Sequence, residues 1–178
     1  MIGLAVLQVF LVVFVLLQER GAQLITIRFV GGNDLISRGI RLVEYGFWAT
    51  HVETLMPDGT LLGAHASGGV QARPKDYDKG KFSKELFLPI PATPQQTDAF
   101  HTFLRTQIGK PYDFEAIVGI VAQRDWQNDK AWMCSELVAA GLCQDNVGIF
   151  PPHLATEFNH VTPRDLLLIV SGHYELAA

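Results

Sequence analysis

Cysteine is scarce. The 178 residues contain two, Cys134 and Cys143, too few for a scaffold stapled by disulfides. They lie nine positions apart, on opposite faces of a continuous helix, and so cannot pair with each other. The paired Cys and His spacings of a structural zinc site are also missing, and no metal or cofactor is expected. No dense basic stripe occurs. The net charge is −4, and the loose group Lys75, Lys79, Lys81 and Lys84 reads as a solvated loop and strand edge. No nucleic-acid partner is expected on that account. A charged share of 18% beside a hydrophobic share of 48% excludes a disordered chain. Repeats are absent, and the length suits one domain with a real core.

Long apolar runs are confined to the N-terminus. Met1 to Leu17 is apolar apart from Gln8, and Gln18-Glu19-Arg20 closes the run. As a helix it would be about 25 Å long, slightly short of a hydrocarbon core. No basic residue precedes it, and "ERGAQ" is a poor cleavage site for a signal peptide. A membrane anchor, an atypical signal peptide and a dispensable extension all fit, and the anchor is favoured. The division is therefore 1–22 for the apolar segment and 23–178 for the folded domain. It implies a membrane-associated or cell-envelope location, or a cytoplasmic one if the segment is no anchor.

Beyond residue 22 the pattern is α+β. "LITIRFV" (24–30) alternates, with Ile25, Ile27 and Phe29 on one face and Thr26 and Arg28 on the other, as in a strand. Asn33 or Asp34 can cap a helix bearing Ile36, Ile40 and Val43. "THVETLMPDGTLLGAHA" (50–66) reads as a hairpin with Pro57-Asp58-Gly59 at its tip. Gly68-Gly69 ends its second strand, and "KELFLPI" (84–90) offers a third. Thr93, Pro94 and Gln96 form a capping box for a helix that turns Phe100, Phe103, Leu104 and Ile108 inward. "EAIVGIVAQ" (115–123) is a further helical segment. Thr162-Pro163-Arg164-Asp165 is a short capped turn, before "LLLIVSGHYEL" as a last strand. Helices thus flank a mostly antiparallel sheet.

Cys134 is the position that raises chemistry. Leu137, Val138 and Leu142 recur at helical spacing after it, which puts the thiol in the first turn of a helix. Free N–H groups and the positive end of the helix dipole favour a thiolate there. The commoner fate of a lone cysteine is a small buried hydrophobe. A nucleophilic thiol needs a base and an orienting partner for that base. Of six histidines, His153 and His160 lie in loop-like surroundings, His173 is near the C-terminus, and His101 sits on a helix without a partner. His51 and His65 share one hairpin, although two polar residues on a half-exposed sheet face would look the same. Arg73 could hold a substrate carboxylate, but reads more simply as a surface arginine.

"PYDF…WMCSELV" and the histidine hairpin together resemble the NlpC-type papain-like cysteine peptidases. In most members the cysteine helix precedes the hairpin. Here His51 comes 83 residues before Cys134, an order similar to the circularly permuted branch, the YiiX/YaeF-type amidases and the lecithin:retinol acyltransferase group. The resemblance spans roughly residues 24–170 and implies a permuted papain-like fold. It implies Cys134 as nucleophile, His51 as general base, His65 as the polar third residue and Tyr112 at the oxyanion site. Met133 stands where the family has aspartate and Glu136 where it has glycine, which leaves substrate details open.

Hairpin geometry bears on the third residue. His51 and Glu53 share a strand face. A two-residue turn would send His65 to the far face and leave Glu53 as partner. A three-residue loop sets His65 directly opposite His51, and the Pro-Asp-Gly sequence favours it. The expected activity is amide hydrolysis on peptide or peptidoglycan-stem substrates. Acyl lipids are the second substrate class, and a non-catalytic module binding peptide or cell-wall fragments is the rival.

Overall fold

Ile25, Ile27 and Phe29 are fully buried on one face of an alternating strand. In the computed structural model, which describes residues 23–33, 35–114, 130–151 and 161–177, that strand is β1 (Gln23–Gly32). There follow α1 (Leu35–Val43), β2 (His51–Leu55), β3 (Thr60–His65), β4 (Gly69–Pro74) and β5 (Phe82–Ala92). The chain continues into α2 (Pro94–Thr106), α3 (Cys134–Leu142) and α4 (Pro163–Ala177). The strands form one antiparallel sheet in the order β4-β3-β2-β1-β5. Helix α3 packs on β2 and β3, α2 on α3 and β1, and α4 on β5. The architecture is α+β, with helices flanking the sheet.

Local chemistry explains the elements that sequence anticipated. Thr93 Oγ1 accepts from Gln96 N–H at 3.2 Å while the Gln96 side chain accepts from Thr93 N–H at 2.9 Å, closing the capping box of α2. Phe100 and Leu104 are buried on that helix, but Ile108 lies past its end and is half exposed.

Two expectations are corrected. Gly68 and Gly69, both at positive φ, follow the end of β3 as expected, but they turn the chain into a further strand, β4, where none was expected. A Cβ at Gly69 would collide with the Lys110 carbonyl, so only glycine admits that close approach. The expected last strand is instead α4. Thr162 N–H donates to Asp165 Oδ2 at 3.3 Å, and Asp165 N–H to Thr162 Oγ1 at 3.2 Å. The cap therefore opens a full helix. Leu166, Leu167 and Val170 are buried while Leu168 and Ile169 face out, a spacing of one helix face rather than of a strand.

The N-terminal apolar run, the segment 115–123 and both His153 and His160 lie outside the described residues. Among the described residues, no helix is long and apolar enough to cross a membrane.

Candidate functional site

The hairpin loop sets the register on which the site depends. Asp58 Oδ1 accepts from Thr60 N–H at 3.0 Å and from its hydroxyl at 2.6 Å. Met56 N–H donates to the Thr60 carbonyl at 2.8 Å. Gly59 takes the left-handed conformation at φ +82. This is the three-residue loop, and β2 and β3 pair Leu55 with Leu61 and Thr54 with Leu62. Continued along the ladder, that register opposes His51 and His65, whose ring centroids are 5.0 Å apart.

Glu53 lies on the same strand face as His51, opposite Gly63. A Cβ at Gly63 would approach Glu53 Cγ to 3.0 Å, so the glycine leaves the room into which Glu53 leans. Its carboxylate reaches both imidazoles. His65 Nε2 is 3.3 Å and His51 Nε2 3.7 Å from Glu53 Oε1. Neither Nε2 makes an aligned hydrogen bond, so the 3.7 Å approach is a charge contact. The hairpin thus brings both proposed orienting groups to His51.

Two residues that sequence reasoning missed hold Glu53. Arg28, entirely buried on β1, donates from Nη1 to Glu53 Oε2 at 2.7 Å, from Nη2 to Asp78 at 3.0 Å and from Nε to Glu85 at 2.6 Å. Tyr77 donates its hydroxyl to Glu53 Oε1 at 3.0 Å and meets the His65 ring edge-on. The only signal in the sequence was an arginine on the polar face of the alternating strand.

Cys134 is the first residue of α3, after the N-cap Met133. Glu136 Oε2 accepts from Met133 N–H at 3.1 Å, so the glutamate found in place of the family glycine caps the helix start. Met133 is buried in the apolar core, where an aspartate would be an uncompensated charge. Ser135 Oγ donates to the Val161 carbonyl at 2.6 Å and anchors the first turn.

Tyr112 is fixed relative to Cys134 by a short bridge. Trp132 N–H donates to the Pro111 carbonyl at 3.0 Å, and Asp113 N–H to the Trp132 carbonyl at 3.1 Å. Val70 N–H donates to the Lys110 carbonyl at 2.9 Å, which ties the same segment to β4. Both His51 and Tyr112 lie close enough to the Cys134 side chain to feel its charge. Both cysteines are free, as their spacing requires. His101 is buried on α2 beside Phe100 and is not part of this group.

The electrostatics divide the two histidines. Burial alone would lower His51, but its interactions with Cys134 and with the Glu53 carboxylate raise it to about 10. His65 is lowered to about 3 by burial and by the neighbouring His51 charge. Burial would raise Glu53, yet His51, His65 and Arg28 together lower it to about 2. Tyr112 is pushed well above its ordinary value by burial and by the charge at Cys134, so its hydroxyl stays a donor. At neutral pH the group is an anion between a charged and a neutral imidazole.

That division has a consequence for stability. Unfolded His65 takes up a proton below about pH 6.5, whereas folded His65 does so only near 3. The unfolded chain therefore binds more protons across that window, and stability is lost as pH falls through it. Glu53, lowered from 4.5 to about 2, acts in the same direction at the acid end of the window. His65→Asn is expected to reduce the loss between pH 6.5 and 4.5 by roughly 2 kcal/mol, at 1.4 kcal/mol per unit. Urea unfolding of both proteins in EDTA at the two pH values checks this. An unchanged loss in the variant would mean that His65 titrates freely.

A cleft of about 280 Å³ opens over this group, lined by His51, His65, Tyr112, Tyr77, Arg73 and Lys81 among others. The fold and site define an α+β protein with a buried helix-start cysteine facing a His-Glu-His cluster. The fold is similar to a solved structure described as the metalloprotein yiiX from Escherichia coli O157:H7. The TM-score is 0.53 at 21% identity, covering 71% of this chain and 67% of that chain. No protein family model and no curated protein matches the sequence.

Proposed function

We propose that the chain is a cysteine hydrolase of permuted papain-like fold that cleaves amide bonds. The observation that carries the reading is the convergence of His51 and Tyr112 on Cys134 at the first residue of α3. The order of elements, histidine hairpin before cysteine helix, supports the permuted arrangement. In this reading the thiol proton already rests on His51, and Cys134 Sγ attacks the carbonyl carbon as the thiolate. The oxyanion is met by the Cys134 N–H, free in the first turn, and by the Tyr112 hydroxyl. His51 then gives its proton to the departing amine, which leaves an acyl-thioester. Water, deprotonated by His51, releases the acid and restores the thiolate.

Glu53 fits the orienting role, since its carboxylate faces Nε2 of His51 and is held by Arg28 and Tyr77. His65 stays neutral and closes the other side of the carboxylate. The substrates that suit this chemistry are peptide or peptidoglycan-stem amides, with acyl lipids second. Turnover of a peptide and muropeptide panel by the full chain, and its loss in Cys134→Ala with the fold retained, tests the reading. Equal turnover by the variant would end it.

A second reading rests on a separate observation. The Nε2 atoms of His51 and His65 are buried without a hydrogen bond, and with Glu53 their ligand atoms all lie within 4.8 Å of one another. Two imidazoles and a carboxylate are a donor set that zinc accepts, so these residues fit a divalent ion. The structural neighbour is described as a metalloprotein. Bound there, an ion would supply Lewis-acid chemistry, while Arg28 and Tyr77 orient the carboxylate. Metal content of the purified full chain separates the readings. One equivalent lost on Glu53→Gln favours the ion, and thiol reactivity surviving EDTA favours the cysteine.

A further inference from the structure

Arg73 lines the same cleft as His51, His65 and Tyr112. It stands on β4, two strands from the His51 strand, and is fixed on two sides. Its guanidinium lies 4.9 Å over the Tyr77 ring, and Nη2 donates to the Ser67 carbonyl at 2.8 Å. Tyr77 in turn meets His65 edge-on at 5.6 Å, so Arg73 is one ring removed from the imidazole cluster. Neither Arg73 nor Lys81, the other cation of the cleft wall, forms an ion pair among the described residues. The acid in that wall, Asp78, is already engaged by Arg28 at 3.0 Å. Glu53 lies beneath the cleft, fully buried and bonded to Arg28 and Tyr77. The open cleft therefore presents cations without anions. A planar guanidinium held by a ring face and a carbonyl keeps N–H groups free for a carboxylate.

We propose that Arg73 is a specificity residue that holds a free carboxylate of the substrate, so that the preferred substrates are amides of carboxylate-bearing acyl or amine groups. The inference rests on the hydrolase reading and names its substrate class. It excludes neutral acyl lipids as the favoured substrates.

The test uses thiol alkylation of the full chain, in which the Cys134 thiolate, its proton already on His51, displaces iodide from carbon. The probes are N-iodoacetyl-ω-amino acids of increasing chain length, each compared with its terminal carboxamide and with iodoacetamide. At one chain length the carboxylate probe is expected to label Cys134 about tenfold faster than its carboxamide, the size of one charge-assisted hydrogen bond. Arg73→Gln should remove that preference while leaving iodoacetamide labelling unchanged, and Arg73→Lys should keep part of it. A preference intact in Arg73→Gln, or absent at every length in wild type, overturns the proposal and leaves the hydrolase reading standing. If iodoacetamide itself fails to label Cys134 ahead of Cys143, both fall together.

Discussion

On the hydrolase reading, replacing His51 with alanine is expected to slow alkylation and amide turnover at Cys134 by roughly 10²–10⁴-fold, the usual contribution of a positioned general acid–base group. His51 is the group that joins the sulfur to the rest of the network, with Cys134 on one side and Glu53 on the other. Raised to about 10, the imidazole carries its proton throughout the neutral range and has it to give to a leaving amine. Alanine removes the proton carrier and the charge together. Its side chain is 19% exposed, at the floor of the cleft, so the loss should fall on reactivity rather than on folding. Rates for His51→Ala beside wild type, with circular dichroism as the control for fold, check this. A loss below tenfold would remove His51 from the base role.

The second large effect concerns stability. Arg28→Met should destabilise the protein by about 3–5 kcal/mol, the cost of leaving one partner of a buried ion pair without the other. Arg28 joins Glu53, Asp78 and Glu85, and Glu53 is fully buried. Although burial opposes its charge, the three carboxylates hold Arg28 above its ordinary value. Without it, Glu53 would be an anion in the interior with only the histidines and Tyr77 to satisfy it. The double variant Arg28→Met, Glu53→Gln should lose less than the sum of the single losses, because the stranded charge is gone. Urea midpoints of the three variants decide the matter. Additive losses would mean that the pair does not act as a unit.

The hairpin was legible because its chemistry is local. Pro57, Asp58 and Gly59 specify a three-residue loop, and Asp58 with Thr60 closes it within two positions. From that loop the opposition of His51 and His65 follows by counting. The capping boxes of α2 and α4 were legible for the same reason. Arg28 was not. Its alternation placed it on the polar face of β1, and its burial depends on carboxylates 25, 50 and 57 positions away. Glu53 was weighed only as an alternative to His65, because a strand pattern gives faces but not how far a side chain leans over Gly63. The run "LLLIV" fits a buried strand or a helix face equally well. The cap at Thr162 and Asp165 opens it as a helix that packs on β5, with Leu168 and Ile169 left outside. Strand β4 was missed because two glycines at positive φ read as an ending rather than as a reversal.

The central claim is that Cys134 is chemically activated by its place in the fold. Both thiols are buried, so exposure does not separate them. Cys143 is pushed up to about 11 by burial, and its sulfur lies 3.4 Å from the Pro151 carbonyl. Cys134 starts a helix beside His51 and Tyr112. The most direct measurement is mass spectrometry after brief iodoacetamide treatment of the native chain and of the same chain unfolded in urea. Labelling of Cys134 well ahead of Cys143 in the native protein, with the difference erased by unfolding, is the predicted result. Slow and equal labelling of both cysteines in the native protein would contradict it.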